Sequence, residues 1–196
     1  MELFEDLNKK EKLLSKLKNY SFYYKIPIIK DEVLYFLRKI IFKNNFINII
    51  EIGSAIGYSA LGMLNIKNNI QTIERDYQRY QLALNFFKNY NYKIDFIWSE
   101  AFFYQPTKKY DLIFIDAAKV QYKKLFEKYS LFLNDNGMII CDNISLYNFN
   151  FKTNSRRIRR MKKKMDDFEC FLKINNVFET VFYNIGDGLS VSKKLF

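Results

Sequence analysis

Residues 49–64 read IIEIGSAIGYSALGML. A short apolar run, Ile47 to Ile52, turns at Gly53, and a helical segment follows from Tyr58 to Leu64. Gly53 and Gly57, four apart, let the backbone turn sharply and approach a ligand closely. The N-terminus of the helix behind them can receive a carboxylate. Alone, such a loop is also an ordinary strand-to-helix turn. Glu74 adds a second signal. It stands after the next apolar run, about 20 residues past the glycine loop, where an acid suits a ribose diol.

The same alternation continues outward from this stretch. Ile70 to Ile73, Ile94 to Trp98, Leu112 to Ile115 and Met138 to Cys141 have strand length, and Tyr77 to Tyr90 and Gln121 to Leu133 read as helices between them. Strands alternating with helices predict a parallel sheet with helices on both faces. Before it, Leu3, Leu7, Leu14 and Leu17 fall near helical spacing and predict an amphipathic helix over Leu3 to Leu17. Tyr20 to Ile29 reads as an aromatic connector containing Pro27, and Asp31 as the cap of a second helix running to about Phe42. After it come a long helix over about 155–174 and two runs, Val177 to Tyr183 and Leu189 to Ser192. Ile185-Gly186-Asp187-Gly188 between those runs reads as a hairpin loop. The expectation is one α/β domain over 1–196, with N-terminal helices in 1–43 and a core over 46–196. Its seven-stranded sheet is mostly parallel and ends in an antiparallel hairpin.

Composition narrows the chemistry. The 196 residues contain no histidine, which excludes a Ser/His/Asp triad and His-ligated zinc or iron. Cys141 and Cys170 have no metal or CxxC spacing and read as buried apolar residues in a reducing compartment. Met1 to Lys18 lacks the apolar core of a signal peptide, and no run approaches the ~20 apolar residues of a spanning helix. The expected location is the cytoplasm, with no membrane partner.

Ligands of an open parallel sheet bind beyond the carboxyl ends of its strands. Asp116-Ala117-Ala118-Lys119 follows the fourth strand and Asp142-Asn143 the fifth. Three oxygen ligands at adjacent strand ends suit a hard cation such as Mg²⁺, although a lone Asp at a strand end is also an ordinary helix cap. The net charge of +11 points to an anionic partner. Four of the chain's seven arginines, Arg156, Arg157, Arg159 and Arg160, lie in five positions, with Lys152, Lys162, Lys163 and Lys164 around them. Ile158, Met161, Met165, Phe168 and Leu172 form one apolar stripe that would turn these charges outward. Such a face is a solvated surface, a phosphate-binding surface or a contact for an anionic membrane. Arginine forks favour phosphate. Tyr147, Phe149 and Phe151 before it could stack on bases or be buried under a lid.

Several ordered strings then resemble one family. IIEIGSAIGYSALGML, TIERD, YDLIFIDAAKVQY, GMIICDN and IGDGLSVSKK look like the bacterial catechol-type O-methyltransferases, from about Pro27 to Lys194. Ile26-Pro27-Ile28 and the basic helix make the chain most similar to the tRNA 5-hydroxyuridine branch. The resemblance implies a Rossmann-like methyltransferase fold, S-adenosylmethionine as cofactor, Mg²⁺ or another divalent cation, tRNA at the anticodon region as partner, and a homodimer. It implies that Glu74 binds the cofactor's ribose and Ser59 its methionine carboxylate. Gly53 would lie against the cofactor, Ile29 over it, and Glu100 and Ala101 beside the adenine. Asp116, Asp142 and Asn143 would hold the metal, with Asp116 also touching the cofactor. Lys119 would act beside the substrate hydroxyl, and Arg156, Arg157, Arg159, Arg160, Lys162 and Lys163 would meet RNA. Ser99-Glu100-Ala101 stands where Gly-Asp-Ala is usual, and Asn143 lacks the usual following glycine. Two other functions compete with tRNA methylation: transfer to a small catechol or phenol, and RNA binding without catalysis.

Overall fold

The computed structural model describes residues 2–144 and 156–195. The side chains of residues 2–6 and of Arg157, and all of Tyr147, Phe149, Phe151 and Lys152, lie outside the described residues.

Helix α1 spans Glu2–Tyr24 and α2 Asp31–Asn44. The first helix therefore absorbs half of the expected aromatic connector. Leu13, Leu14, Leu17 and Ser21 are buried at spacings of three and four, which carries the helical face past Leu17. Leu7, expected on that face, is exposed. Asp31 is the first residue of α2 and not its cap. Lys30 holds the cap position without a side-chain bond to the helix end, while Asp31 accepts from the Tyr58 hydroxyl at 3.0 Å and pairs with Lys18.

The core alternates as expected: β1 Asn48–Ile52, α3 Tyr58–Met63, β2 Asn69–Glu74, α4 Tyr77–Phe87, β3 Ile94–Trp98, β4 Tyr110–Ile115, a 3₁₀ turn Lys119–Gln121, α5 Tyr122–Ser130 and β5 Leu133–Cys141. It closes with α6 Arg156–Ile174, β6 Phe178–Tyr183 and β7 Leu189–Lys194. β5 starts five residues before the expected Met138. Leu133 already pairs with Tyr110, and a register shift then absorbs the polar Asn134-Asp135-Asn136 stretch, which reads as a turn in isolation.

The seven strands are ordered β3-β2-β1-β4-β5-β7-β6. β1 to β5 run parallel, and β7 runs against both of its neighbours. This is the Rossmann-like sheet with the expected antiparallel hairpin. Period-two burial gives it two faces. Ile49, Leu112 and Phe114 pack with α1 to α3, whereas Ile50, Ile113 and Ile115 pack with α5 and α6. The order reverses between β1 and β4, so the crevice for a ligand opens where both strands end.

Candidate active site

The register Ile52↔Ile115↔Cys141 brings the ends of β1, β4 and β5 into one row. The Asp116 amide donates to the Ile52 carbonyl at 3.0 Å, and the Asp142 amide to the Ile115 carbonyl at 3.0 Å. Gly53 follows at φ +101°, and a Cβ there would stand 2.0 Å from the Asp116 carbonyl oxygen. Glycine is thus required by the neighbouring strand as well as by any ligand, a packing demand that the sequence does not display.

Beyond this row lies a cavity of about 260 Å³. Gly53, Glu74, Glu100, Ala101 and Asp116 line it, together with Arg75. Glu74 is buried at the end of β2, and its two oxygens accept from the Ala55 and Asp76 amides, both at 2.8 Å. The acid therefore clamps the glycine loop. Each oxygen retains a lone pair for a hydroxyl in the cavity. Ala55, held by this bond, sits at φ +47°, a left-handed conformation costly for a residue with a side chain. At the far wall, Arg75 and Glu100 approach to 3.6 Å.

Ile29 and Ser59 are placed differently. Ile29 is buried against the N-terminal helices, and Pro27 is the residue of that segment that lines the cavity. Ser59 is buried in α3 beside Glu51. Glu51 had no role in the sequence reading because it occupies an ordinary strand position. It is fully buried in β1, with Thr72 donating to one oxygen and the other lacking a partner. Burial pushes its carboxyl up to about 7, against the pull of the Ser59 and Thr72 hydroxyls.

The acids at the ends of β4 and β5 form the second half of the site. Burial raises Asp116 to about 6, opposed by Lys119 and by a hydrogen bond from Asn143. Burial raises Asp142 to about 7, and the charge of Asp116 adds to it. The Asn143 amide donates to Asp142 Oδ1 at 2.7 Å, and Asn143 sits at φ +56°. Tyr122 fixes the same corner by donating to the Asp142 carbonyl at 2.8 Å. Among the described residues no three His, Cys, Asp or Glu side chains gather into a metal cluster. The donor set here is two carboxylates and one amide. Two carboxylates, Asp142 buried and Asp116 half-buried, that resist ionisation together are relieved by a hard cation, so these residues fit a divalent ion.

Lys119 lies in the 3₁₀ turn just after β4. Burial lowers its pKa, while Asp187, Asp142 and Asp116 act to raise it. Asp187 was visible in the sequence only as a turn residue. The β6–β7 turn carries it back to the site, where it also pairs with Lys30 at 2.8 Å.

The family model described as O-methyltransferase matches residues 6–195. The chain belongs to the O-methyltransferase family. A Staphylococcus aureus structure bearing the designation caffeoyl-CoA O-methyltransferase shares 33% identity over 98% of each chain, with a TM-score of 0.86. Tapetum-specific methyltransferase 1 of Arabidopsis thaliana is 29% identical over 184 residues, 87% of this chain and 78% of that protein. The Bacillus cereus O-methyltransferase solved with S-adenosylhomocysteine covers 93% of this chain and 90% of its own, at 18% identity and a TM-score of 0.79, a likeness of fold.

In this O-methyltransferase the basic residues lie on α6. Met165, Phe168 and Leu172 are buried against α5, whereas Ile158 and Met161, expected in the same stripe, are only half-buried. Arg156, Arg159, Arg160, Lys162, Lys163 and Lys164 are exposed. The helix also packs against the turn that carries Lys119. Cys141 is buried as expected, but Cys170, on the outer face of α6, is exposed. No helix of the described residues is long and apolar enough to cross a membrane.

Proposed function

We propose that this O-methyltransferase transfers the methyl group of S-adenosylmethionine to the 5-hydroxyl of a hydroxylated uridine in a tRNA anticodon loop, giving 5-methoxyuridine. A divalent cation, Mg²⁺, would be held by Asp116, Asp142 and Asn143. The observation that carries the RNA substrate is the exposed basic half of α6, a helix that also packs against the Lys119 turn. A phosphate backbone laid on that helix would bring a nucleoside to the carboxyl ends of β4 and β5. Membership in the family, the Glu74 clamp and the cavity at the switch point support the methyl donor.

On this reading each part of the site has a role. Glu74 and the glycine loop would hold the donor's ribose, and the 100–101 wall would receive its base. When bound, the cation supplies positive charge that lowers the pKa of the substrate hydroxyl. Lys119, its own pKa lowered by burial, takes the hydroxyl proton or stabilises the oxyanion. The oxygen then forms its bond to the methyl carbon as the carbon–sulfur bond breaks, and the electron pair stays on sulfur. Alignment of oxygen, carbon and sulfur is the remaining contribution.

Two substitutions separate these roles. Glu74→Ala weakens S-adenosylmethionine binding by about 1.5–3 kcal/mol, the range for hydrogen bonds to a charged group. Unchanged affinity by calorimetry would put the ribose elsewhere. Lys119→Ala lowers turnover by about 10²–10⁴ with little change in donor affinity. Turnover within twofold of wild type would make Lys119 structural.

The substrate is tested by digesting tRNA to nucleosides after reaction. Hydroxylated tRNA yields 5-methoxyuridine, and the same tRNA carrying plain uridine gains no methyl group. Methylation of both would place the acceptor elsewhere. A second reading, a small catechol or phenol as acceptor, is supported by the designation of the Staphylococcus aureus relative.

A further inference from the structure

The wall of the cavity formed after β3 has no regular structure of its own. Residues 99–104 run as a bend and a tight turn, with the Phe103 and Tyr104 amides both donating to the Glu100 carbonyl. Glu100 and Ala101 face the cavity from this turn. A turn of this kind leaves carbonyls that need donors.

One side chain meets that need. Lys128, on α5, donates from its ammonium to three carbonyls at once: Ala101 at 3.1 Å, Phe102 at 2.7 Å and Tyr104 at 2.6 Å. An ammonium has three donors, and all three are used on one loop. The neighbouring Tyr129 hydroxyl adds a bond to the Ala101 carbonyl at 2.8 Å. Tyr129 is itself fully buried in the core between α5 and the sheet, so the loop is tied to a rigid element. The charged bonds are also the stronger kind.

We propose that Lys128, with Tyr129, is a positioning residue for the cofactor: it holds the 100–104 loop in the shape that receives the adenine end of the methyl donor. This rests on the methyltransferase reading of the cavity. Lys128 touches neither the reacting atoms nor the metal ligands. Its loss would take this donor from the Phe102 and Tyr104 carbonyls, leave Ala101 with the Tyr129 hydroxyl alone, and free the Glu100–Ala101 wall to move, which lowers affinity for the base without altering the chemical step.

The test compares Lys128→Met, which keeps the aliphatic stem, with Lys128→Arg and Tyr129→Phe. Calorimetry measures S-adenosylhomocysteine and methylthioadenosine, which share the adenosine but differ in the amino acid portion. Lys128→Met should weaken both by the same factor, about tenfold, the loss expected for a charged hydrogen-bonded contact. Lys128→Arg should recover part of it, and Tyr129→Phe should lose less than Lys128→Met. The KM for S-adenosylmethionine should rise while turnover at saturation stays near wild type. Hydrogen exchange should accelerate in 99–105 and stay unchanged at the glycine loop. Affinities within twofold of wild type in Lys128→Met would overturn the proposal. So would a loss seen for S-adenosylhomocysteine and not for methylthioadenosine. If Lys128→Met melts before assay, Lys128→Arg and Tyr129→Phe decide alone, and wild-type affinity in both overturns it. Failure of the wild-type protein to bind S-adenosylhomocysteine would instead contradict the methyltransferase reading.

Discussion

Asp142→Ala and Asp116→Ala each lower methyl transfer by on the order of 10³-fold or more, since the charge stabilisation supplied at such a site is worth several kcal/mol. Excess chelator does the same to the unsubstituted protein, and added Mg²⁺ restores it. The two carboxyls explain why the loss is so large. Each is pushed up in the cation-free protein, Asp116 to about 6 and Asp142 to about 7, chiefly by burial. Their folded values lie above the ordinary carboxylate value, so the folded chain binds protons more tightly than the unfolded one. Cation-free stability therefore declines as pH rises from about 4 to about 7. A bound cation reverses that trend, and its affinity falls as pH drops from about 7 towards 6, because protons then compete for the same oxygens. Thermal melts at pH 5.5 and 8, with and without Mg²⁺, read this directly. Mg²⁺ stabilisation that is larger at pH 5.5, or full activity in excess chelator, would remove the metal from the mechanism.

Neutralising Arg156, Arg157, Arg159 and Arg160 together weakens tRNA binding and leaves S-adenosylmethionine binding intact. If all four meet phosphates, the slope of log affinity against log salt falls by about 3 to 4 units, at roughly 0.7–0.9 per contact. Arg156, Arg159 and Arg160 are exposed, and the buried Met165, Phe168 and Leu172 that dock α6 are untouched, so the fold survives. A thermal melt checks that. A small phenol, if accepted, is methylated as before. A quadruple variant that binds tRNA with the wild-type salt slope would remove the basis for an RNA surface on α6.

The sheet was legible because its strands are buried on both faces and read as unbroken apolar runs, as in Ile49-Ile50 and Leu112 to Ile115. The strand-end acids were legible because local spacing places them. Residues whose role depends on distant parts of the chain were not. Tyr20 to Tyr24 reads as an aromatic connector, because Phe22, Tyr23 and Tyr24 are exposed and only Ser21, with half-buried Tyr20, continues the buried face of α1. Glu51 reads as one more strand position, although the sheet buries its carboxyl beneath the glycine loop. Asp187 reads as a hairpin residue, and only the return of β7 beside β5 brings it to Lys30 and Lys119. Lys128 is invisible among 25 lysines because its partners are backbone carbonyls 24 to 27 positions away.

The most direct measurement is a competition in one tube. Purified protein, Mg²⁺ and methyl-labelled S-adenosylmethionine are incubated with equal concentrations of tRNA carrying 5-hydroxyuridine and of catechol, and the label in each is counted. Label concentrated in the tRNA, and lost from it in the quadruple arginine variant, is the result predicted here. Label in catechol with none in tRNA would contradict the RNA substrate, and label in neither would contradict a methyltransferase acting on either kind of hydroxyl.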